Sequence, residues 1–201
     1  MSKKIIQNKW WKDNVSKRKD EFNSWLGDLN SIDRIVARER IKAMGHRSVL
    51  DCACGFAIEY YGFKHDNIKI DYTGMDSTEF IVKDCQSRNI NVVQGSIEDS
   101  PFGDSIFDVV YARHILEHLS GYEVALNQLI RCAKHEVIIN FFLVPTKEPA
   151  DLKTDVNLNN EVYVNRYCST DIENSLRDNN KVKGFEWKDV NGYSLLFVLL
   201  K

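Results

Sequence analysis

The chain has 201 residues, of which 43% are hydrophobic and 28% charged, and these proportions supply one packed core in too short a length for two ordinary domains. Its formal net charge is −2. Because nucleic-acid binders gather an excess of Lys and Arg, this balance excludes a general affinity for polyanions, and we expect no nucleic-acid partner.

The first two thirds of the chain alternate between strand and helix patterns. An amphipathic helix is predicted over residues 30–44, with Ser31 placed to cap its start and Gly45 to end it. Short apolar or β-branched runs then predict five strands, at 48–51, 69–76, 90–94, 107–111 and 136–143. Helical stretches lie between them, at 56–61, 80–88 and 121–132. This order predicts an α/β fold with a parallel sheet and helices on both faces.

The last third has a different pattern. Residues 144–166 form a long irregular stretch with two of the three prolines, and loops of this length in compact domains are usually functional or mobile. A helix start follows at Ser169. Two strand patterns, 185–190 and 193–200, then flank Asn191-Gly192, a strong hairpin signal. The sheet is therefore expected to close with an antiparallel pair.

Membrane segments and disulfide bonds are not expected. No apolar run reaches the roughly 20 residues that span a bilayer, and the N-terminus lacks a signal-peptide core, which predicts a cytoplasmic protein. The five cysteines are an odd set, and Cys52-x-Cys54 has no second Cys/His pair with zinc-ligand spacing. Reduced thiols and no metal site are predicted.

Two segments combine into a candidate ligand site. The first predicted strand runs into the turn Val49-Leu-Asp-Cys-Ala-Cys-Gly-Phe-Ala57, and the second ends on Asp76, 25 residues after Asp51. In open α/β sheets the first turn presents backbone N–H groups to a ligand, and an acid at the end of the next strand can hold a ribose.

With these segments in place, the chain resembles the methyltransferase type 11 group of class I S-adenosylmethionine-dependent methyltransferases. The group's first motif reads approximately V-L-D-x-G-C-G-x-G. Gly95-Ser-Ile-Glu-Asp-Ser-Pro-Phe102 resembles its G-D-x-x-x-L-P-F stretch, which lies over the adenine. Phe107-Asp-Val-Val-Tyr-Ala-Arg-His-Ile-Leu-Glu-His-Leu119 matches F-D-x-V-x-x-x-x-x-L-E-H-L and is the most specific segment.

The resemblance implies a Rossmann-like, doubly wound sheet of seven strands, mostly parallel with an antiparallel last strand. It also implies S-adenosylmethionine as the cofactor and S-adenosylhomocysteine as the product. Within one domain we expect an N-terminal helical cap (1–45), a cofactor-binding core (46–143), a substrate-side loop (144–168) and a closing helix and hairpin (169–201).

The cofactor contacts implied by the resemblance centre on Asp76, which falls where the family's acid bonds both ribose hydroxyls. Ser96 stands where Asp is usual over the adenine, while the backbone of Ile97 can still meet the ring. The full set of expected cofactor residues is Asp51, Ala53, Cys54, Gly55, Asp76, Ser77, Ser96, Ile97, Ala112 and Arg113.

The acceptor side is predicted from fewer observations. Asn165-Arg-Tyr-Cys168 resembles an N-x-Y-S element of relatives in glycan and polysaccharide pathways, which implies O-methylation of a sugar or glycan hydroxyl. A hydroxyl needs a base, for which His114 and Asp155 are the candidates. The expected substrate-binding residues are Trp10, Trp11, His114, Arg166 and Tyr167, although the tryptophans would equally serve packing and Arg166 a surface ion pair.

Several alternatives stay open. The acceptor could be an amine, carboxylate or carbon of another small molecule. Because Ala53 and Ala57 replace two motif glycines, a non-catalytic cofactor-binding module is the alternative from another class; positive φ at either would strain the backbone by roughly 1–2 kcal/mol. An NAD-dependent oxidoreductase is disfavoured because G-x-G-x-x-G is absent. The chain could be one domain of a larger glycan-building protein, and its oligomeric state is open.

Overall fold

The computed structural model describes residues 14, 15, 17, 27–148 and 163–201, and it forms one mixed sheet covered by helices. In chain order its elements are α1 (Ile32–Ala43), β1 (Ser48–Cys52), α2 (Ile58–His65), β2 (Asp71–Asp76), α3 (Glu79–Ser87), β3 (Val92–Gln94), β4 (Phe107–Arg113), a 3₁₀ turn (Leu116–His118), α4 (Glu123–Cys132), β5 (Ala133–Phe141), α5 (Ser169–Arg177), β6 (Val182–Val190) and β7 (Tyr193–Leu200).

The seven strands lie in the order β3-β2-β1-β4-β5-β7-β6. Neighbours from β3 to β5 are parallel, whereas β7 runs antiparallel to both β5 and β6. The strand order reverses at β1 and β4, so their carboxyl ends border the crevice in which ligands of open α/β sheets bind. The predicted fold class is confirmed.

The core consists of two apolar layers, one on each face of the sheet. Neighbouring residues of β1 enter different layers, Val49 with α1, α2 and α3, and Leu50 with α4 and α5. Successive strand side chains point to opposite faces, so a strand covered on both sides must be apolar throughout. This explains the apolar stretches in the middle of these strands, residues 49–50 in β1, 109–112 in β4 and 137–139 in β5.

Some element ends differ from the prediction, and backbone geometry gives the reason. Helix α2 begins at Ile58 instead of residue 56, because Ala57 has a φ of 59°, which a right-handed helix excludes. Strand β5 ends at Phe141 instead of residue 143, because the next two backbone N–H groups donate to Glu117. The side chain of Ser31 makes no capping hydrogen bond to α1.

Buried ion pairs fix α1 against α2. Arg34 and Arg38 of α1 both bond the carboxylate of Glu59, and Arg38 Nε also donates to Asp66 Oδ2 at 2.6 Å. Arg38 passes so close to Gly62 that a methyl group there would lie 2.7 Å from its Nη1. The start of α1 is thereby held over the carboxyl ends of β4 and β5.

The hairpin turn and the free cysteines agree with the sequence analysis. Asn191 and Gly192, at the tip of the predicted hairpin, have φ values of 44° and 85°, the positive values that a type I′ turn requires. All five cysteines are free. Among the described residues, no helix is both long and apolar enough to cross a membrane, and no three His, Cys, Asp or Glu side chains converge as a metal site would need.

Candidate active site

The turn after β1 is built from left-handed backbone positions. Ala53, Gly55 and Ala57 have φ values of 57°, 53° and 59°. Between them, the backbone N–H of Cys54 donates to Met75 O at 3.0 Å, which ties the turn to β2. Left-handed geometry costs a non-glycine residue roughly 1–2 kcal/mol. Ala53 and Ala57, which replace two motif glycines, therefore both carry the backbone strain that positive φ causes.

Asp76 ends β2 directly opposite this turn. Its Oδ2 accepts a hydrogen bond from Gly55 N at 3.1 Å, and its Oδ1 accepts one from Thr78 N at 2.9 Å. Burial raises the pKa of the carboxyl group, and these N–H donors act in the opposite direction. The Thr78 side chain and the Ser77 backbone also act on this carboxyl group as hydrogen-bond donors and lower its pKa. Carboxylate oxygens accept hydrogen bonds from hydroxyl groups as well. The group thus fits the ribose of S-adenosylmethionine.

Glycines let the second and third strands approach this carboxylate closely. A methyl group on Gly74 would lie 2.8 Å from Cys54 Sγ, and one on Gly95 would lie 2.7 Å from Met75 Sδ. Distances this short do not occur between real atoms, so a side chain at either position would require the neighbouring sulfur atom to move. The close packing holds the predicted adenine-side segment beside Asp76.

Asp51 lies beneath the turn and is buried. Its Oδ2 accepts a hydrogen bond from the Tyr72 hydroxyl at 2.7 Å. Burial, followed by repulsion from Glu59, raises the pKa of Asp51 to about 7. Asp51 thus supports the turn from below, and a direct bond to the cofactor stays a prediction.

The other predicted cofactor residues lie along the same edge of the sheet. Ser77 follows Asp76 and is half-buried, and its carbonyl accepts a hydrogen bond from Gln94. Ser96 is also half-buried, Ile97 packs in the core, and Ala112 is fully buried at the end of β4. Ala112 can therefore contribute only through its backbone.

His114 and Arg113 begin the acceptor side. His114 has a φ of 54°, and its ring stacks on Tyr193 at 5.3 Å between centroids. Burial first, and then the charge of Arg113, lowers the pKa of His114 to about 2. The ring is neutral at physiological pH and holds a proton too weakly for an effective general base. The catalytic role of His114 stays a prediction.

The segment with the N-x-Y resemblance serves a structural purpose in part. Tyr167 is buried, and its hydroxyl donates to Leu116 O at 2.7 Å, so the protein itself holds this hydroxyl. Its contact with an acceptor stays a prediction. Asn165 Nδ2 donates to Leu119 O at 2.6 Å in the same way. Arg166 is exposed and can still border an acceptor. Trp10, Trp11 and Asp155 lie outside the described residues.

The L-E-H-L segment holds the ends of the substrate-side loop. Glu117 is fully buried, and its Oε1 accepts hydrogen bonds from Phe142 N at 2.7 Å and Leu143 N at 3.3 Å. Its carbonyl accepts one from Asn165 N, and the neighbouring His118 lies 2.7 Å from Tyr163 O. Burial raises the pKa of Glu117 to about 7. This segment therefore connects the residues before and after 149–162.

Sequence reasoning missed two residues at the acceptor side. Asp33 of α1 accepts hydrogen bonds from Arg113 Nε at 2.7 Å and Asn140 Nδ2 at 2.6 Å. Asp33 and Asn140 are 107 positions apart in sequence, and nothing in their local patterns connects them. They meet only because the start of α1 packs against the carboxyl end of β5.

Comparisons with known proteins agree with this geometry. Residues 50–141 match the family profile described as a methyltransferase domain. No curated protein sequence matches the chain.

Solved structures share the fold at low sequence identity. Magnesium protoporphyrin IX methyltransferase from Synechocystis PCC 6803, with bound S-adenosylmethionine, is 16% identical with a TM-score of 0.70, over 100% of this chain and 98% of that one. A possible histamine N-methyltransferase from Thermotoga maritima is 15% identical with a TM-score of 0.65, over 93% and 98%. The YcgJ protein from Bacillus subtilis is 18% identical with a TM-score of 0.55, and the match covers 71% of this chain and 64% of that protein.

These likenesses show the mixed seven-stranded fold of class I methyltransferases. Together with the profile match over the strand ends that carry the turn, they support an S-adenosylmethionine-dependent methyltransferase whose cofactor is S-adenosylmethionine.

Proposed function

We propose that the protein transfers the methyl group of S-adenosylmethionine to a hydroxyl group of a sugar or glycan. The methyltransferase part rests on Asp76, whose carboxylate accepts a hydrogen bond from Gly55 of the β1 turn and would accept hydrogen bonds from the ribose hydroxyls. Support for a sugar acceptor comes from the Asn165-Arg-Tyr167 resemblance.

The chain's residues would contribute mainly alignment. S-adenosylmethionine supplies an already activated methyl group, so an acceptor oxygen needs only to lie in line with it and lose its proton. With a pKa near 2, His114 is suited to orienting the acceptor and not to removing that proton. Asp155 remains our proposed base, within the 144–168 loop.

A second candidate is methylation of an amine, carboxylate or carbon acceptor. It is favoured by the low pKa of His114, because such acceptors can react without a strong base at this position. Turnover confined to amine or aromatic substrates would favour this candidate and exclude the sugar proposal.

A third candidate is a cofactor-binding module without catalysis, which the strained Ala53 and Ala57 favour. It predicts affinity for S-adenosylmethionine with no methyl transfer to any acceptor of a broad panel.

The first experiment is calorimetric titration with S-adenosylmethionine and S-adenosylhomocysteine of the wild type, Asp76→Ala and Asp71→Ala. Asp71 is an exposed acid at the start of the same strand and serves as the matched control. Loss of two charge-assisted hydrogen bonds should weaken binding by roughly 100-fold or more in Asp76→Ala, and Asp71→Ala should bind as the wild type does.

Circular dichroism checks that Asp76→Ala is folded, because Asp76 also bonds two backbone N–H groups. Failure of the folded wild type to bind either ligand would exclude the proposed cofactor site. If binding is found, an assay of S-adenosylhomocysteine formation with free and nucleotide-linked deoxysugars tests the acceptor.

A further inference from the structure

Four polar side chains converge at the carboxyl ends of β4 and β5, and we call them the Asp33 cluster: Asp33, Arg113, His114 and Asn140. Asp33 Oδ2 accepts hydrogen bonds from Arg113 Nε at 2.7 Å and Asn140 Nδ2 at 2.6 Å. His114 Nε2 lies 3.6 Å from the same oxygen, beyond hydrogen-bond distance. One carboxylate oxygen therefore joins Arg113 and Asn140, and His114 lies beside it.

Three polar atoms of this cluster are buried without a hydrogen-bond partner in the part of the chain that the structure describes: Asp33 Oδ1, Asn140 Oδ1 and His114 Nε2. Asp33 and Asn140 are 0% and 1% exposed. The amide orientation of Asn140 is fixed, because its nitrogen must face the carboxylate that accepts from it. Buried polar groups are nearly always paired, so three unpaired atoms in one place indicate a site for a ligand.

The cluster lies next to the cofactor turn along the sheet edge. Cys52, the last residue of β1, pairs with Ala112 of β4, and Arg113 pairs with Asn140 of β5. Adjacent strands are about 4.8 Å apart, so the cluster begins one strand from the turn. A molecule bound there would lie about one strand away from the turn that is proposed to hold the cofactor. The side chains of His114 and Arg113 are 12% and 11% exposed and mark the side that reaches solvent.

The chemistry of the cluster selects the kind of ligand. The two unpaired oxygens can only accept hydrogen bonds, so the ligand must donate. The charge of Asp33 is already balanced by Arg113, with which it forms an ion pair. A neutral donor therefore fits better than a cation, and two hydroxyl groups of one molecule can donate one hydrogen bond to each oxygen.

We propose that the Asp33 cluster is the acceptor-binding subsite, in which Asp33 Oδ1 and Asn140 Oδ1 accept hydrogen bonds from adjacent hydroxyl groups of the acceptor. The inference rests on the proposed function, which it deepens by naming the residues that bind the acceptor. It assigns Asp33 and Asn140 to substrate binding and leaves the cofactor contacts to the β1 turn and Asp76.

The test uses saturation-transfer NMR on the full chain loaded with S-adenosylhomocysteine. The probes are L-rhamnose, which carries adjacent hydroxyls, and cyclohexylamine, a cation of similar size. In Asp33→Asn the amide oxygen must face Arg113 and Asn140, so the amide nitrogen occupies the Oδ1 position and turns an acceptor into a donor. Asp171→Asn, at an exposed acid of α5, is the control.

We expect rhamnose to bind the wild type and Asp171→Asn, and to bind Asp33→Asn roughly 10-fold more weakly or worse. The affinity for S-adenosylhomocysteine should change less than about twofold, which a general loss of structure would not allow. Asn140→Leu removes the second oxygen at similar volume and should weaken rhamnose binding too. This second variant decides the matter if Asp33→Asn does not fold.

Three results would overturn the inference: rhamnose binding that neither variant changes, wild-type binding of cyclohexylamine in preference to rhamnose, or no binding of either probe to the wild type. The proposed function fails separately. If rhamnose binds through Asp33 but no sugar is methylated, the proposed function is wrong and the proposed subsite stands. If sugars are methylated and Asp33→Asn has no effect, the proposed subsite is wrong and the proposed function stands.

Discussion

Ala53 and Ala57 occupy left-handed backbone positions in the β1 turn, yet their surroundings differ. Ala53 is half-buried, whereas Ala57 is completely buried in the core beside α2. Both methyl groups carry the same backbone strain, roughly 1–2 kcal/mol. Only the methyl group of Ala57 also contributes full hydrophobic burial, about 0.8 kcal/mol.

These environments predict different effects for the two glycine replacements. Ala53→Gly relieves the backbone strain. The greater freedom of glycine in the unfolded chain offsets about 0.4–1 kcal/mol of this gain. The substitution should therefore raise the free energy of unfolding by roughly 0.5–1 kcal/mol. Ala57→Gly also loses the buried methyl group and should be nearly neutral. Urea unfolding of both variants measures the difference; a destabilised Ala53→Gly would show that its methyl group makes a favourable contact.

Among the individual site residues, the sequence identifies some and misses others. Asp76 could be predicted because it ends a strand pattern at a fixed distance from a recognisable turn. Asp33 and Asn140 could not, because each lies in an ordinary helix or strand pattern. Their importance comes from one buried oxygen on each that has no hydrogen-bond partner among the described residues, and such a feature has no local signature in the sequence.

Glu117 shows how one buried acid joins several elements. Its carboxylate bonds the two residues after β5, and its backbone carbonyl accepts a hydrogen bond from Asn165 N, ahead of α5. The L-E-H-L pattern indicated a functional segment, but its contacts are structural. They fix both ends of the loop that is predicted to face the acceptor.

Stability should fall as pH rises through the titration range of Glu117. Burial raises its pKa to about 7 from an ordinary 4.5, so the folded protein binds this proton more tightly than the unfolded chain. The stabilisation is complete below pH 4.5 and is lost by about pH 7, with an upper limit of about 3 kcal/mol. Asp51, whose pKa is also raised to about 7, acts in the same direction.

Urea unfolding of the wild type and Glu117→Gln between pH 5 and 8 measures this effect. The free energy of unfolding should fall less steeply with pH in Glu117→Gln than in the wild type. Glu123→Gln, at an exposed acid of α4, is the control and should follow the wild-type curve. Parallel curves for Glu117→Gln and the wild type would show that Glu117 does not titrate in this range.

Helix α1 carries Asp33, so its attachment matters for the acceptor side. Glu59→Gln removes the carboxylate shared by Arg34 and Arg38, which are both buried, and should lower the free energy of unfolding by about 3 kcal/mol. Lys83→Gln breaks an exposed ion pair with Glu79 and should change the free energy of unfolding by less than about 0.5 kcal/mol. Thermal or urea unfolding compares them, and equal effects would contradict a structural role for the buried network.

For the whole molecule, cofactor binding should appear as thermal stabilisation. A ligand at 100 times its dissociation constant adds about 2.7 kcal/mol to the free energy of unfolding, which for a chain of this size raises Tm by roughly 5–10 °C. Calorimetric scans with and without S-adenosylhomocysteine measure the shift. Asp76→Ala should lose most of it, and an equal shift in that variant would place the cofactor elsewhere.

The sequence by itself determined the order of strands and helices, the hairpin at Asn191-Gly192 and the position of Asp76 beside the β1 turn. These features depend on periodicity, turn chemistry and spacing, which are local. Only the tertiary structure decided that His114 is neutral, that Glu117 holds the loop ends and that Asp33 meets Asn140. Burial and contacts between distant segments produce these properties, so they arise only when α1 packs across the ends of β4 and β5.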